Sequence, residues 1–450
     1  MTDLLDIARR AAGEARGGEQ IEAYVVRTNE TDVEVFGGEV ESLSVAGIEG
    51  IGVRVIADGR QGYAWSGSLD VDAIDDAVRA ARDNASFSEP DEWAGLATLA
   101  DARSAVPPEL DLWRDDLAAV PTDEKVRIAL ELEAATKAAD PRIRGVESAG
   151  YGDGLIESAI ATSVGVEAAH RYTVCSASAF ALAADGHETR TGYGFVAGRS
   201  LADLDLESIP RDAAERACRL LGATKPTSRR LPIVLDPLVT RSVLGVLAAA
   251  LNGEAVLKGR SMFAERVGEQ VAAAGVDLVD DPTDDRALGA TPHDAEGVAT
   301  RAVPLISGGV LRGFLHNVWT GRRSGGASTG SAVRGGFKST PGVGARALRL
   351  APGARSPEAL VAGIAEGLYV QSVSGLHSGT NPVSGDFSVG AEGLMIRDGA
   401  FAEPVHELTI ASTLPRMLLD LAEVADDLTF LPGSAAGVTV LIAEMMMSGA

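Results

Sequence analysis

Apolar and polar residues alternate with a period of two through much of the first seventy positions. "QIEAYVVRTNE", "TDVEVFGGEVESLSVAG" and "EGIGVRVIADGRQGYAWSG" each carry apolar side chains at every second place with glycines between them, which predicts an antiparallel meander. The preceding "MTDLLDIARRAAGEARGG" has a helical period instead, with Asp3 and Asp6 near its start. In "LDVDAIDDAVRAARDNA" the residues Ile74, Ala77, Val78 and Ala81 share one helical face. Residues 86–120 lose this periodicity and are rich in Pro, Asp and Ser, as expected of a linker or long connection.

The cycle then returns. "PTDEKVRIALELEAATKAADP" predicts a helix starting at Pro121-Thr122 and stopping at Asp140-Pro141. The next fifty residues alternate again, and "SIPRDAAERACRLLGA" predicts a closing helix capped by Ser208. "RQGYAWSGSLDVDAIDDAVRAA" and "RTGYGFVAGRSLADLDLESIPRDAAERA" share a Gly-Tyr strand, a turn and an alanine-rich helix. Either an old duplication or two similar strand–helix units would produce this echo.

"KPTSRRLPIVLDP" marks a boundary, followed by a helix over "DPLVTRSVLGVLAAALNGEAVL" and many short strands punctuated by glycine. Near the end, "TLPRMLLDLAEVADDL" predicts a helix and "AGVTVLIAEMMM" a last strand. Helices and strands are segregated, so the expected class is α+β: antiparallel-sheet N-terminal modules with flanking helices, then a β-rich C-terminal domain with a few helices. The expected domains are residues 1–110, 111–226 and 227–450.

Charge narrows the partners. The 450-residue chain has a formal charge of −24, which repels phosphate backbones and argues against nucleic acid. No apolar run approaches a membrane span, and the N-terminus lacks the basic and apolar regions of a signal peptide. With Cys175 and Cys218 as the only cysteines, a disulfide framework is not expected and a reducing, cytoplasmic setting is. From Gly297 to Pro357, however, there is no Asp or Glu, while Arg301, Arg312, Arg322, Arg323, Arg334, Lys338, Arg346, Arg349 and Arg355 all fall there. Solvated arginines on strands would explain this span, and so would a cationic surface facing an acidic ligand or partner.

Candidate chemistry is sparse. His406-Glu407 and His187-Glu188 resemble half of a zinc helix, but neither has a second histidine within a turn or two. The six histidines are widely separated, and no pair has ligand spacing. "GASTG" at 326–330 matches a nucleophile elbow around Ser328 only in letters, because the motif needs a strand, a sharp turn and then a helix, and here more glycine follows. "LHSGTNPVSGDFSVGAEG" places His377, Asn381, Ser384 and Asp386 in one glycine-rich stretch, which is either a ligand-contacting loop or a tight turn.

Three segments carry a resemblance. "LKGRSMFAERVGEQV", "DDPTDDRALGATPHDAEGVATRAVPLISGGVLRGFLHN" and "NPVSGDFSVGAEGLMIRDGAFAEPVHELTIASTLPRMLLDLAEVADDL" resemble the TldD/PmbA family in its PmbA (TldE) branch, in order and spacing over about residues 230–445. The first half resembles it in layout only. In TldD-type members a zinc helix with His-Glu-x-x-x-His lies just before the segment like "KGRSMF". The matching positions here are Leu244, Gly245 and Ala249, and no histidine occurs between His187 and His293. The family's third ligand is a cysteine near the C-terminus, and no cysteine follows Cys218. The resemblance thus implies a chain with no catalytic residue and no metal ligand of its own, paired with a zinc-bearing TldD-like subunit. The pair would be a peptidase for unfolded or modified peptides, and the metal-free chain alone could form a homodimer. The expected contacts with substrate or partner are Arg322, Arg323, His377, Asn381 and Ser384. A standalone hydrolase using Ser328, or a site around His377 and Asp386, is the competing enzymatic reading; a peptide-binding or regulatory homodimer is the non-enzymatic one.

Overall fold

The computed structural model describes residues 2–449. The first module runs α1 (Thr2–Ala12), β1 (Gln20–Phe36), β2 (Glu39–Ala57), β3 (Arg60–Ser66) and α2 (Val71–Phe87). A connection with two single-turn helices, α3 (Leu99–Ala102) and α4 (Asp115–Ala118), leads to the second module: α5 (Thr122–Ala138), β4 (Ile143–Thr162), β5 (Glu167–Asp185), β6 (Glu188–Gly198) and α6 (Ser208–Cys218).

The two modules share a single antiparallel sheet, in the order β3-β2-β1-β4-β5-β6. Its seam is the β1–β4 ladder, in register from Glu22↔Thr162 to Val35↔Ala149. Strand order reads outward identically from that seam, so the sequence echo is realised as two halves of one sheet. Side chains alternate across a strand. Ile21, Ala23 and Val25 of β1 and Ala159 and Ala161 of β4 therefore face α1 and α2, and Val33, Ala149 and Tyr151 face α5. One glycine in each half is fixed by close approach of its helix. A Cβ on Gly62 would lie 2.0 Å from the Ala81 carbonyl oxygen, and one on Gly192 would lie 2.1 Å from that of Ala213.

The third region contains β7 (Arg229–Leu235), α7 (Pro237–Ala250), α8 (Gly253–Leu257), β8 (Leu278–Asp280), β9 (Val303–Ser307), β10 (Val310–Leu311), α9 (Val318–Arg323), β11 (Ala332–Val333), β12 (Gly342–Val343), β13 (Leu348–Leu350) and α10 (Pro357–Val361). It ends with β14 (Glu366–Ser374), α11 (Leu376–Gly379), β15 (Asp386–Arg397), β16 (Ala400–Thr413), α12 (Leu414–Leu419), β17 (Leu421–Val424) and β18 (Val440–Ser448). Its main sheet is ordered β16-β15-β14-β7-β18-β17, and β16 also pairs with β18, closing a ring of five strands. Among the described residues, only β7 and β14 pair in parallel in it. Leu244, Leu247, Phe263, Leu368, Phe387, Ile410 and Met447 pack in its core. The class is α+β, with strands dominating this region.

Three local expectations are altered. The helix expected over "DPLVTRSVLGVLAAALNGEAVL" breaks into α7 and α8, with Asn252 capping the second. Ser208 lies in the first turn of α6 and does not cap it. The third change is near the C-terminus. The helix expected over "TLPRMLLDLAEVADDL" stops at Leu419, and β17 begins at Leu421. Leu421 pairs with Ile442 and Val424 with Val440, so apolar cross-strand partners outweigh the local helical preference. The aperiodic stretch 86–120 is a docked strap: Leu96, Ala97, Leu112 and Leu117 are buried, and Asp91 accepts a hydrogen bond from Trp319 Nε1 at 2.6 Å. No helix among the described residues is long and apolar enough to cross a membrane.

Candidate functional site

α7 starts because Asp236 caps the Leu238 amide at 2.9 Å and Pro237 occupies the first turn. Its apolar stripe, including Leu244, is buried in the C-terminal core. Gly245 and Ala249, one turn apart, lie on the opposite, exposed face and offer no donor atom. Among the described residues no three His, Cys, Asp or Glu side chains converge as metal ligands. Both cysteines are buried; burial pushes the Cys175 thiol up to about 12 and also raises Cys218, so neither is a poised nucleophile.

The loops that carry the sequence likeness do come together. The Met262 amide bonds the Pro382 carbonyl at 3.3 Å, seating "KGRSMF" against "NPVSGDF". Within the second loop Asn381 Oδ1 accepts the Val383 and Ser384 amides at 2.9 and 3.3 Å, and Ser384 Oγ donates to Asp386 at 2.6 Å. Asn381 and Ser384 thus hold a tight turn with their side chains, while His377 is exposed on α11. His406 and Glu407 sit within β16, Glu407 at φ 50°. Ser328 is buried, bonding the His316 carbonyl at 3.2 Å, with no catalytic base in that contact.

The acid-free run of arginines is mostly engaged inside the molecule by groups from distant sequence. Arg322 donates to the Leu96 carbonyl at 2.8 Å and to Asp101 at 3.2 Å, and so ties α9 to the strap. Arg349 pairs with Asp281 at 3.1 Å and Arg355 with Glu423 at 2.9 Å. Arg334 pairs with Glu22. Arg323 is exposed and lies 5.1 Å over the Trp319 ring.

Three features of the large sheet were not visible in any motif. The face away from the helices carries a cleft of about 420 Å³ over β1, β4 and β5, where Gly150, Gly152 and Gly154 fall on alternate positions beside Glu30, Asp32 and Glu34. Secondly, β3 pairs with β2 only from Ile51 onward, so Glu39–Glu49 of β2 is an open edge, with Val40, Leu43, Val45 and Ile48 all exposed. Such an edge accepts a further strand. Thirdly, a buried ionic junction joins sheet and C-terminal domain. Glu22 accepts from Arg54 at 2.5 Å and from Arg334, Arg54 also reaches Glu296 at 3.2 Å, and Glu296 accepts the Val318 amide at 2.8 Å. The two arginines hold Glu22 below its ordinary value against the opposing cost of burial.

Beside that junction His170 stacks on Tyr172 and meets Ser158 Oγ at 3.4 Å. Burial, then the charges of Arg346 and His293, depress His170 to about 4. A depressed folded value means its contribution is complete above the unfolded value of about 6.5 and is lost as pH falls toward 4. The apparent unfolding midpoint should therefore drop across that window, by up to about 3 kcal/mol in stability with water in the adjoining cavity reducing it. His170→Asn should flatten this limb in a thermal pH series; an unchanged limb would exclude His170 as its source.

Comparison with known proteins identifies the lineage. Residues 21–85, 115–221 and 228–449 match models of the PmbA/TldA metallopeptidase domain 1, central domain and C-terminal domain respectively. The chain belongs to the PmbA/TldD family. It is 28% identical over 440 residues to the Escherichia coli O157:H7 protein named metalloprotease PmbA, covering 98% of this chain and 94% of that one. It is 27% identical to the Haemophilus influenzae PmbA homolog over 96% of this chain and 93% of that one. Among solved structures, TldE from Thermococcus kodakarensis superposes with a TM-score of 0.90 at 23% identity, covering all of both chains. A Bacteroides thetaiotaomicron structure described as a candidate modulator of DNA gyrase gives 0.89 at 25% identity, over 99% of this chain and 98% of that one. Metalloprotease is part of the relatives' names, yet the donor set here does not fit a zinc ion: Leu244 is buried hydrocarbon, and Gly245 and Ala249 have nothing to coordinate with.

Proposed function

We propose that this chain is the non-catalytic subunit of a heterodimeric zinc metallopeptidase that degrades or trims unfolded or modified peptides, with zinc supplied by a TldD-like partner. The donor-free α7 carries the reading, because family membership without Lewis acid or water-activating base leaves shaping and support as the role. The open β2 edge supports it further: an extended peptide or partner strand would complete its hydrogen bonds, and only unfolded chain could do so. The cytoplasm is the proposed compartment.

The test is co-expression with a TldD-like chain, followed by metal analysis and peptide cleavage. The isolated chain should carry only trace zinc and leave peptides intact, and cleavage should appear on adding the partner. Stoichiometric zinc or unaided cleavage by this chain would overturn the proposal. Arg323→Glu should weaken partner retention or peptide cleavage by roughly fivefold, as a rim charge does. Arg322→Glu also breaks the Asp101 contact, so Arg323 is the cleaner probe. Unchanged behaviour of Arg323→Glu in both assays would remove that surface from the interface.

A further inference from the structure

A second cavity, about 100 Å³, lies where the large sheet meets the C-terminal domain. Tyr24, Ser158, His170 and Tyr172 line it from the sheet, and His293, Asp294, Arg334 and Arg346 from the other side. That volume holds several waters or one small ion. The walls are not equally satisfied. Arg334 is committed to Glu22, to the Ala295 carbonyl at 3.2 Å and to the Tyr24 ring. The Asp294 carboxylate is engaged by the Glu296, Val298 and Ala332 amides at 2.8, 3.0 and 3.1 Å. Arg346, by contrast, makes one side-chain hydrogen bond, to the Ala332 carbonyl at 3.1 Å, and its buried Nε has no partner. His293 Nδ1 is likewise buried and unpartnered. Buried donors in native proteins are almost always satisfied, and a guanidinium is built to hold an oxyanion in two-pronged fashion. Imidazole in its Nδ1–H form adds a donor without needing a charge.

We propose that this cavity binds one small oxyanion, a carboxylate or a phosphate, held by Arg346 and His293 of the C-terminal domain against the wall of the sheet. Because the sheet residues Ser158, His170 and Tyr172 close the cavity over the two holding groups, undocking would open the site, and the bound anion stabilises the docked arrangement in proportion to its occupancy. The site is separate from α7 and does not depend on how the chain pairs.

The full chain is titrated calorimetrically with inorganic phosphate and, separately, with acetate, at matched ionic strength. Thermal unfolding is followed with and without each ion. The ion that wins distinguishes a phosphate site from a carboxylate site. One ion per chain and a rise in Tm of about 2 °C at saturating concentration are expected. Arg346→Gln should weaken binding about tenfold or more, as loss of a charged hydrogen bond does. His293→Leu removes the orphaned nitrogen while keeping bulk. If the nitrogen is only a packing defect, this variant gains stability without ions and keeps the wild-type ion response; under the proposal it loses the response. No ion-specific binding to the wild type, or binding unchanged in both variants, would overturn the site.

Discussion

Glu22→Gln is expected to destabilise the protein by about 3–5 kcal/mol. The carboxylate is 1% exposed and faces two arginines, Arg54 of β2 and Arg334 of the C-terminal domain, both nearly as buried. Glutamine keeps the shape and removes the charge. Glu296 alone then balances two guanidinium groups in a medium that screens poorly, and Arg54 already has a buried Nε without a partner. The cost is that of uncompensated cations and exceeds the worth of the lost bonds. Three checks separate this from a general packing fault. The depressed value of Glu22 gives stability that is present above the unfolded carboxyl value of about 4.3 and lost as pH falls through the folded one. The wild type should lose its advantage over Glu22→Gln on that acid limb. Adding Arg334→Gln to Glu22→Gln should recover part of the loss, with a coupling of about 1 kcal/mol or more between the sites. Strict additivity of the two changes in urea unfolding would sink the argument. The junction also joins separate parts of the fold, so limited proteolysis should open the strap of residues 86–120 faster in the variant.

Gly192→Ala should cost about 3 kcal/mol or more, and Gly62→Ala should cost a similar amount. In β6 the new methyl would stand 2.1 Å from the Ala213 carbonyl oxygen and 2.3 Å from the Ala217 nitrogen of α6. In β3 it would stand 2.0 Å from the Ala81 oxygen and 2.2 Å from the Ala85 nitrogen of α2. These are backbone atoms and cannot swing aside, so each helix would have to lift from its sheet. Gly67 has nothing within 4 Å of such a methyl, and Gly67→Ala serves as the control, with a change within about 1 kcal/mol in either direction. Equal losses at positions 62 and 192, against none at 67, would show that the two halves of the sheet are built by the same close approach. Tolerance of either alanine would break that equivalence.

Much of this was legible as pattern. The Gly-Tyr echo at residues 62–63 and 192–193 marked two like units because close approach demands glycine in both. That positions 244, 245 and 249 carry no donor atom was legible as well, since residue types are settled by letters alone. Less was legible around the C-terminus, where local helical preference at Leu421–Val424 gave way to partners in β18. The arginine-rich span could not be interpreted from sequence, because Glu22, Asp101, Asp281 and Glu423, which answer it, lie far away along the chain. Nor could His170, His293 and Arg346 be grouped, having no common spacing.

By itself, then, the amino-acid order determined the strands and helices of both N-terminal modules, their repetition, and the lack of metal-binding side chains on α7. Those properties depend on neighbours within a few residues or on atom types. Tertiary structure alone decided that β1 and β4 join the modules into one sheet, that β2 keeps an open edge, and that buried arginines gather around a small cavity. Each of these arises from contacts between distant segments, where long-range pairing and desolvation, rather than local periodicity, set the free energy.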